Sequence, residues 1–202
     1  MSKRVLFYAG FFVLLVIGFF VFLSYKIPEY AHPQTRPISV VQPFSFYNQD
    51  GKIVTDKQVA GKVNVVNFFF TTCTSVCPRM NNNLKPIYEQ FKNEPGFIIL
   101  SYTCDPSRDS AARLKRYADS MKVNTDKWIF LTGQKDSLYA MARHSYAIDD
   151  PKTDAQNLET DFLHTQLIAL VDKRGEVVKV YDGLKPSELK QMPEEIKKLL
   201  KE

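Results

Sequence analysis

Cysteine is scarce in this chain: three residues among 202. Three is an odd number and too few to staple a scaffold, and the domain is long enough to bury a core without staples. The thiols are therefore read as functional rather than structural. No basic run with interleaved aromatics accompanies the net charge of +5. Part of that charge sits at the N-terminus and part at Lys197, Lys198 and Lys201, which read as the solvated face of a last helix. Nucleic acid is not expected as a partner. There is no internal repeat and no low-complexity segment.

The N-terminus has no charge from Val5 to Leu23 and no Ala-x-Ala cleavage site. At about 1.5 Å per residue that stretch is long enough to span a bilayer as a helix. The long core and the missing cleavage site favour an uncleaved anchor over a signal peptide. Lys3 and Arg4 before the stretch bias it towards an N-in orientation. Residues from about 28 onward are then exported, to the periplasmic face of the inner membrane in a bacterium. Pro28, Pro33, Pro37 and Pro43 mark an extended tether that also contains His32, read as solvated. The organisation expected is an anchor over 1–25, a linker over 26–43 and one domain over 44–202.

Within that domain, Phe44–Asn48 and Lys52–Thr55 flank Asp50-Gly51, the signal of an N-terminal β-hairpin. Val63–Phe70 is apolar, β-branched and aromatic, as a central buried strand should be. Phe97–Thr103 and Trp128–Thr132 read as further strands, and Gln166–Val171 and Glu176–Tyr181 as a second hairpin around Asp172–Gly175. Helices are expected after Pro78 to Lys92, over 105–121, over 135–144 and over 186–200. This order is an α/β layout with helices on a mixed sheet.

The chemistry concentrates where the central strand ends: Thr71-Thr-Cys73-Thr-Ser-Val-Cys77-Pro78. Two cysteines four apart at a strand-to-helix turn suit redox chemistry or soft-metal binding. If both lie in the first helical turns they share one face and can close on one metal ion or on each other. A helix N-terminus favours the thiolate, which is both nucleophile and ligand, and Arg79 adds positive potential. A buried pair of small apolar residues is the plainer alternative. Far downstream, His164 stands just before an apolar strand. A lone histidine usually has no special role, but with a thiol pair it completes a Cys₂His donor set. Thiolates suit Cu(I), and an imidazole lets the same site hold Cu(II). Zinc fits less well, with one ligand short and no Cys-x-x-Cys spacing.

The chain resembles the Sco/SenC family of membrane-anchored, thioredoxin-like copper proteins over about residues 40–200. The resemblance is carried by the run Gly61–Pro78, Asp105-Pro-Ser-Arg-Asp109, Trp128–Gly133, and His164 before Leu170–Gly175 and Tyr181-Asp-Gly183. It implies a thioredoxin-like mixed sheet flanked by helices, and copper as Cu(I) or Cu(II) on Cys73, Cys77 and His164. It also implies delivery of copper to, or reduction of the thiols of, the CuA centre of cytochrome c oxidase subunit II, or another apo-cuproprotein. A Cys73–Cys77 disulfide would need a periplasmic thiol reductant before loading. Asp105 is a candidate to support the ligands from behind, with helix capping as its alternative. Cys104 departs from the family pattern. It is read first as a buried small residue, with a resolving thiol or an extra ligand as alternatives.

Two other classes compete. A thiol–disulfide oxidoreductase would use Cys73 and Cys77 in exchange. Against a general role of that kind, the spacing is not Cys-x-x-Cys, and no proline stands between residues 152 and 185 to face the thiols. A thiol peroxidase or redox sensor would need a peroxide pocket that no motif signals.

Overall fold

The computed structural model describes residues 2–26, 37–148 and 165–202. The tether residues 27–36, His32 among them, and His164 lie outside the described residues. The chain divides into two units, 1–36 and 37–202. The first contains helix α1 (Lys3–Lys26), of which Lys3–Phe22 has a mean hydropathy of 2.7. It is long and apolar enough to cross a membrane by length and composition.

The second unit is built on an eight-stranded mixed sheet. Its strands are β1 (Ser39–Val40), β2 (Ser45–Asn48), β3 (Ile53–Thr55), β4 (Val63–Phe69), β5 (Phe97–Thr103), β6 (Trp128–Thr132), β7 (Leu167–Val171) and β8 (Glu176–Asp182). The spatial order is β1-β8-β7-β4-β5-β6-β2-β3. Strands β4, β5 and β6 run parallel, and the other pairs are antiparallel. Each crossover between parallel strands carries a helix: α3 (Val76–Phe91) between β4 and β5, and α4 (Ala111–Met121) between β5 and β6. Short α2 (Asp56–Val59) follows β3, and α5 (Lys135–Ala140) runs on into a π-helical turn, Met141–Ser145. The sheet with its flanking helices is the thioredoxin-like architecture that the sequence leads one to expect.

Strand β4 is buried along its whole length. A central strand covered on both faces reads as a mainly apolar run, and this one does apart from two asparagines. Val63, Val65 and Phe69 face one core, with Met80, Leu84 and Phe91 of α3 and Leu114 and Ala118 of α4. Val66 and Phe68 face a second core, with Phe44, Phe46, Tyr102, Tyr139 and Tyr146. Asn64, near the start of β4, and Asn67, at its fully buried middle, are its polar interruptions. The Asn67 amide donates to Asn81 Oδ1 (3.0 Å) and its carbonyl accepts Ser101 Oγ (2.6 Å), while Trp128 Nε1 donates to Ser101 Oγ (2.8 Å). Every member is partnered, so the network fixes how α3 sits on the sheet without leaving an unsatisfied group.

Three expectations shift. The single C-terminal helix expected over 186–200 is two helices, α6 (Pro186–Leu189) and α7 (Met192–Lys201). Pro193 falls in the first turn of α7, where the missing N–H costs nothing. The helix expected to open at Asp105 starts at Ala111, with Ser110 as its cap accepting Arg113 N–H at 3.4 Å. Ser39 and Val40, in the stretch read as tether, form a short edge strand against β8.

Candidate metal centre

The parallel register pairs Phe69 of β4 with Thr103 of β5, so both strands end side by side. Loops after adjacent parallel strands meet on one edge, and this edge carries all three cysteines. Residues 70–75 turn out of β4, and α3 starts at Val76. Cys73 therefore lies in the turn rather than in a helical turn, and only Cys77 is helical. The pair meets by a different route from the shared helix face that the spacing suggests: Cys77 N–H donates to Cys73 Sγ at 3.3 Å. Cys73 N–H in turn donates to Phe70 O at 3.1 Å, closing the turn.

The two thiols are electrostatically unequal. Burial acts to raise the Cys73 thiol. The Cys77 N–H, the Cys77 thiol and the Ser75 and Val76 N–H groups together outweigh it and hold Cys73 below an ordinary cysteine. Burial pushes Cys77 up to about 12, helped by its hydrogen bond to the Cys73 sulfur. Of the two, half-buried Cys73 gives up its proton more readily, and buried Cys77 holds its own more tightly. No disulfide joins them.

A cavity of about 320 Å³ opens here, lined by Cys73, Cys77, Cys104, the turn residues, Thr165 and Gln166. Cys104 is buried. Its N–H donates to Phe69 O at 2.8 Å and its carbonyl accepts Tyr139 Oη at 3.2 Å. Asp105 is adjacent in sequence but does not line the cavity. Its carboxylate accepts Ser107 Oγ (2.7 Å) and lies 3.7 Å from Arg108 Nη1, which makes it the cap of a local turn. Among the described residues no three His, Cys, Asp or Glu side chains gather closely enough to hold a metal ion. Thr165, the first described residue after His164, is fixed by its hydroxyl, which donates to Ile148 O (3.1 Å) and accepts Leu167 N–H (3.1 Å). Gln166 is held by Asp182, whose Oδ2 accepts its amide at 2.8 Å, and by Gly183, whose N–H donates to its carbonyl at 2.8 Å.

Asp109 has a part at this edge that the sequence did not suggest. It is fully buried, and its carboxylate accepts Thr71 N–H (3.0 Å), the Thr71 hydroxyl and the Thr103 hydroxyl (2.6 Å). Arg113 Nε donates to Thr71 Oγ1 at 2.6 Å and lies 3.7 Å from Asp109 Oδ1. The Asp-Pro-Ser-Arg-Asp motif was the available signal, but it read as helix capping.

A family model described as SCO1/SenC matches residues 32–201. The chain belongs to the SCO1/SenC family. A curated SCO1/SenC relative, the SCO1 protein homolog of Bacillus subtilis, is 32% identical over 148 residues, covering 71% of this chain and 74% of the relative. Among solved structures, the chain is similar to BsSco, a member of the Sco family of cytochrome c oxidase assembly proteins in which a disulfide switch has been identified. The identity is 29% and the TM-score 0.67, over 81% of this chain and 95% of BsSco. Bradyrhizobium japonicum ScoI with copper bound is 26% identical with a TM-score of 0.57, over 80% of this chain and 99% of that one.

Proposed function

We propose that this SCO1/SenC protein is a membrane-tethered copper metallochaperone, with Cys73, Cys77 and His164 as the donors. The observation that carries the reading is the cavity in which an activated thiol, Cys73, meets a buried partner, Cys77, while Thr165, next in chain to His164, lines the same wall. The donor set fits the cargo: two thiolates suffice for Cu(I), and the imidazole extends the site to Cu(II). The copper-bound ScoI relative supports copper as the metal. Loading requires Cys77 to give up its proton, which the metal's charge promotes. Transfer then proceeds by ligand exchange onto a docked apo-cuproprotein, the CuA site of cytochrome c oxidase subunit II being the recipient proposed. Helix α1 anchors the domain in the inner membrane with the cysteines on the periplasmic side, and a periplasmic thiol reductant keeps the pair loadable.

The inequality of the two thiols favours one second reading, dithiol reduction of a dedicated client. Cys73 thiolate attacks a client disulfide and forms a mixed disulfide, expelling one client thiolate. Cys77 then loses its proton and attacks the Cys73 sulfur, releasing the second client thiolate and leaving a Cys73–Cys77 disulfide. The relative with a disulfide switch supports this chemistry.

The test is anaerobic copper titration of the reduced full chain in detergent, beside a Cys73→Ser/Cys77→Ser variant. It is read by thiolate-to-Cu(II) charge-transfer absorbance and by competition with a Cu(I) chelator. One tight equivalent that the variant loses is the expected result. No tight binding by the fully reduced parent would sink the chaperone reading and leave the reductase.

A further inference from the structure

We infer that Asp109 is the positioning residue for Cys73, acting through Thr71 and Arg113. The inference rests on the reading of Cys73 as the reactive, metal-facing thiol of this site.

The geometry is that of a peg. Thr71 is the second residue after β4 and stands two residues before Cys73. Both of its donors, the backbone N–H and the hydroxyl, end on the one Asp109 carboxylate, and its hydroxyl oxygen also accepts Arg113 Nε. The carboxylate is fully buried, so it cannot trade these donors for water, and hydrogen bonds to a buried charge are the strong ones. Asp109 is itself fixed twice. Its N–H donates to Asp105 O at 2.9 Å, and Thr103 at the end of β5 supplies a third donor to the carboxylate. The next residue, Ser110, caps α4, whose N-terminus favours the negative charge.

The other side of the turn is held by different means. Cys77 is buried in the core packed under α3, beside Met80 and Leu84. With Thr71 pegged and Cys77 packed, only residues 72–76 remain to set where Cys73 Sγ lies relative to the Cys77 N–H. Releasing the peg at Thr71 lengthens the adjustable segment at one end and loosens the 3.3 Å contact between the Cys77 N–H and Cys73 Sγ that places the sulfur. Asp109 touches neither sulfur, so its effect is exerted wholly through the turn.

The experiment is peptide-resolved alkylation of Cys73 in the reduced full chain in detergent, at fixed near-neutral pH, with thermal unfolding measured alongside. Asp109→Asn is expected to slow alkylation of Cys73 by about fivefold or more, and Thr71→Val to slow it in the same direction. Thr71→Ser, which keeps both donors, should restore a rate within about twofold of the parent. Asp172→Asn removes a buried carboxylate at another turn. It should lower stability and leave the Cys73 rate within about twofold of the parent. Equal slowing by Asp172→Asn and Asp109→Asn would overturn the inference, as would rates near the parent for both Asp109→Asn and Thr71→Val. If Asp109→Asn fails to fold, Thr71→Val decides by the same comparison. Copper titration of the parent runs in parallel. Loss of copper binding there would remove the chaperone reading while the alkylation comparison still judges the peg.

Discussion

Two buried carboxylates hold two turns of this sheet, and they do so in different ways. Asp172 follows β7 and accepts Arg174 N–H (2.9 Å), Arg174 Nε (2.9 Å) and Glu176 N–H (2.8 Å). All its donors lie within four residues, and the turn it closes is a simple reversal into β8. Asp109 collects donors from Thr103 and from Thr71, the latter 38 positions away. One carboxylate shapes a local turn. The other joins two loops that are distant in sequence, one of which carries Cys73. A turn that only reverses the chain can be built from neighbours. A turn that must place a sulfur is held from outside, by elements whose positions the sheet has already set.

The comparison can be broken from either end. The largest effect expected is at the chemical end: Cys73→Ser or Cys77→Ser should weaken Cu(I) binding by more than about a hundredfold, since removing even an outer partner of a ligand costs about 10–100-fold. Competition with a Cu(I) chelator measures it, and Asp172→Asn should leave that affinity unchanged. His164→Ala sharpens the donor assignment. It should weaken Cu(II) binding more than Cu(I) binding, and equal losses for the two ions would remove the imidazole from the site.

The next effects are on stability. A Cβ on Gly183 would come within 2.7 Å of Met80 Cγ and 2.8 Å of the Gln166 carbonyl oxygen. Backbone oxygen cannot step aside as a flexible side chain can. Gly183→Ala should destabilise the domain by about 1–3 kcal/mol in chemical denaturation, comparable with the roughly 1–3 kcal/mol expected for Asp172→Asn.

The smallest effect expected is a pH slope. Burial raises Cys77 from 9.0 to about 12 and Tyr117 from 10.0 to about 12. Both groups bind their protons more tightly folded than unfolded. Their contribution is complete below the unfolded values and is lost as pH rises from about 9 through about 12. The thermal midpoint should fall across that window, and Tyr117→Phe should make the fall shallower. An unchanged slope would remove Tyr117 from the account.

Much of the fold was legible because periodicity and apolar runs report burial directly. Strand β5 coincides with the run Phe97–Thr103, and β4 with all but the last residue of its run. The thioredoxin-like resemblance implies that these two strands run side by side and end on one face, which brings Cys104 near Cys73 and Cys77, as the parallel register shows. Three things were not legible. Ser39–Val40 pairs at an edge through backbone groups, which leaves almost no pattern in so short a strand. The start of α3 at Val76 depends on how the preceding turn closes, so the i, i+4 geometry imagined for the cysteines was replaced by an N–H to sulfur contact. The task of Asp109 depends on a partner 38 residues away, and its local setting reads equally well as a helix cap.

The protein has a single tryptophan. Trp128 is fully buried, stacked on Phe130 with ring centroids 6.0 Å apart, and it begins the polar chain that runs through Ser101 and Asn67 to Asn81. Asn81 stands one helical turn beyond Cys77. The domain therefore carries its own optical gauge. Its ultraviolet emission should be blue-shifted while the core is dry and move to the red when it opens. A change that tilts α3 reaches the indole through three hydrogen bonds, so unfolding can be followed in one cuvette without a label, and the proposed copper loading can be tested in the same way.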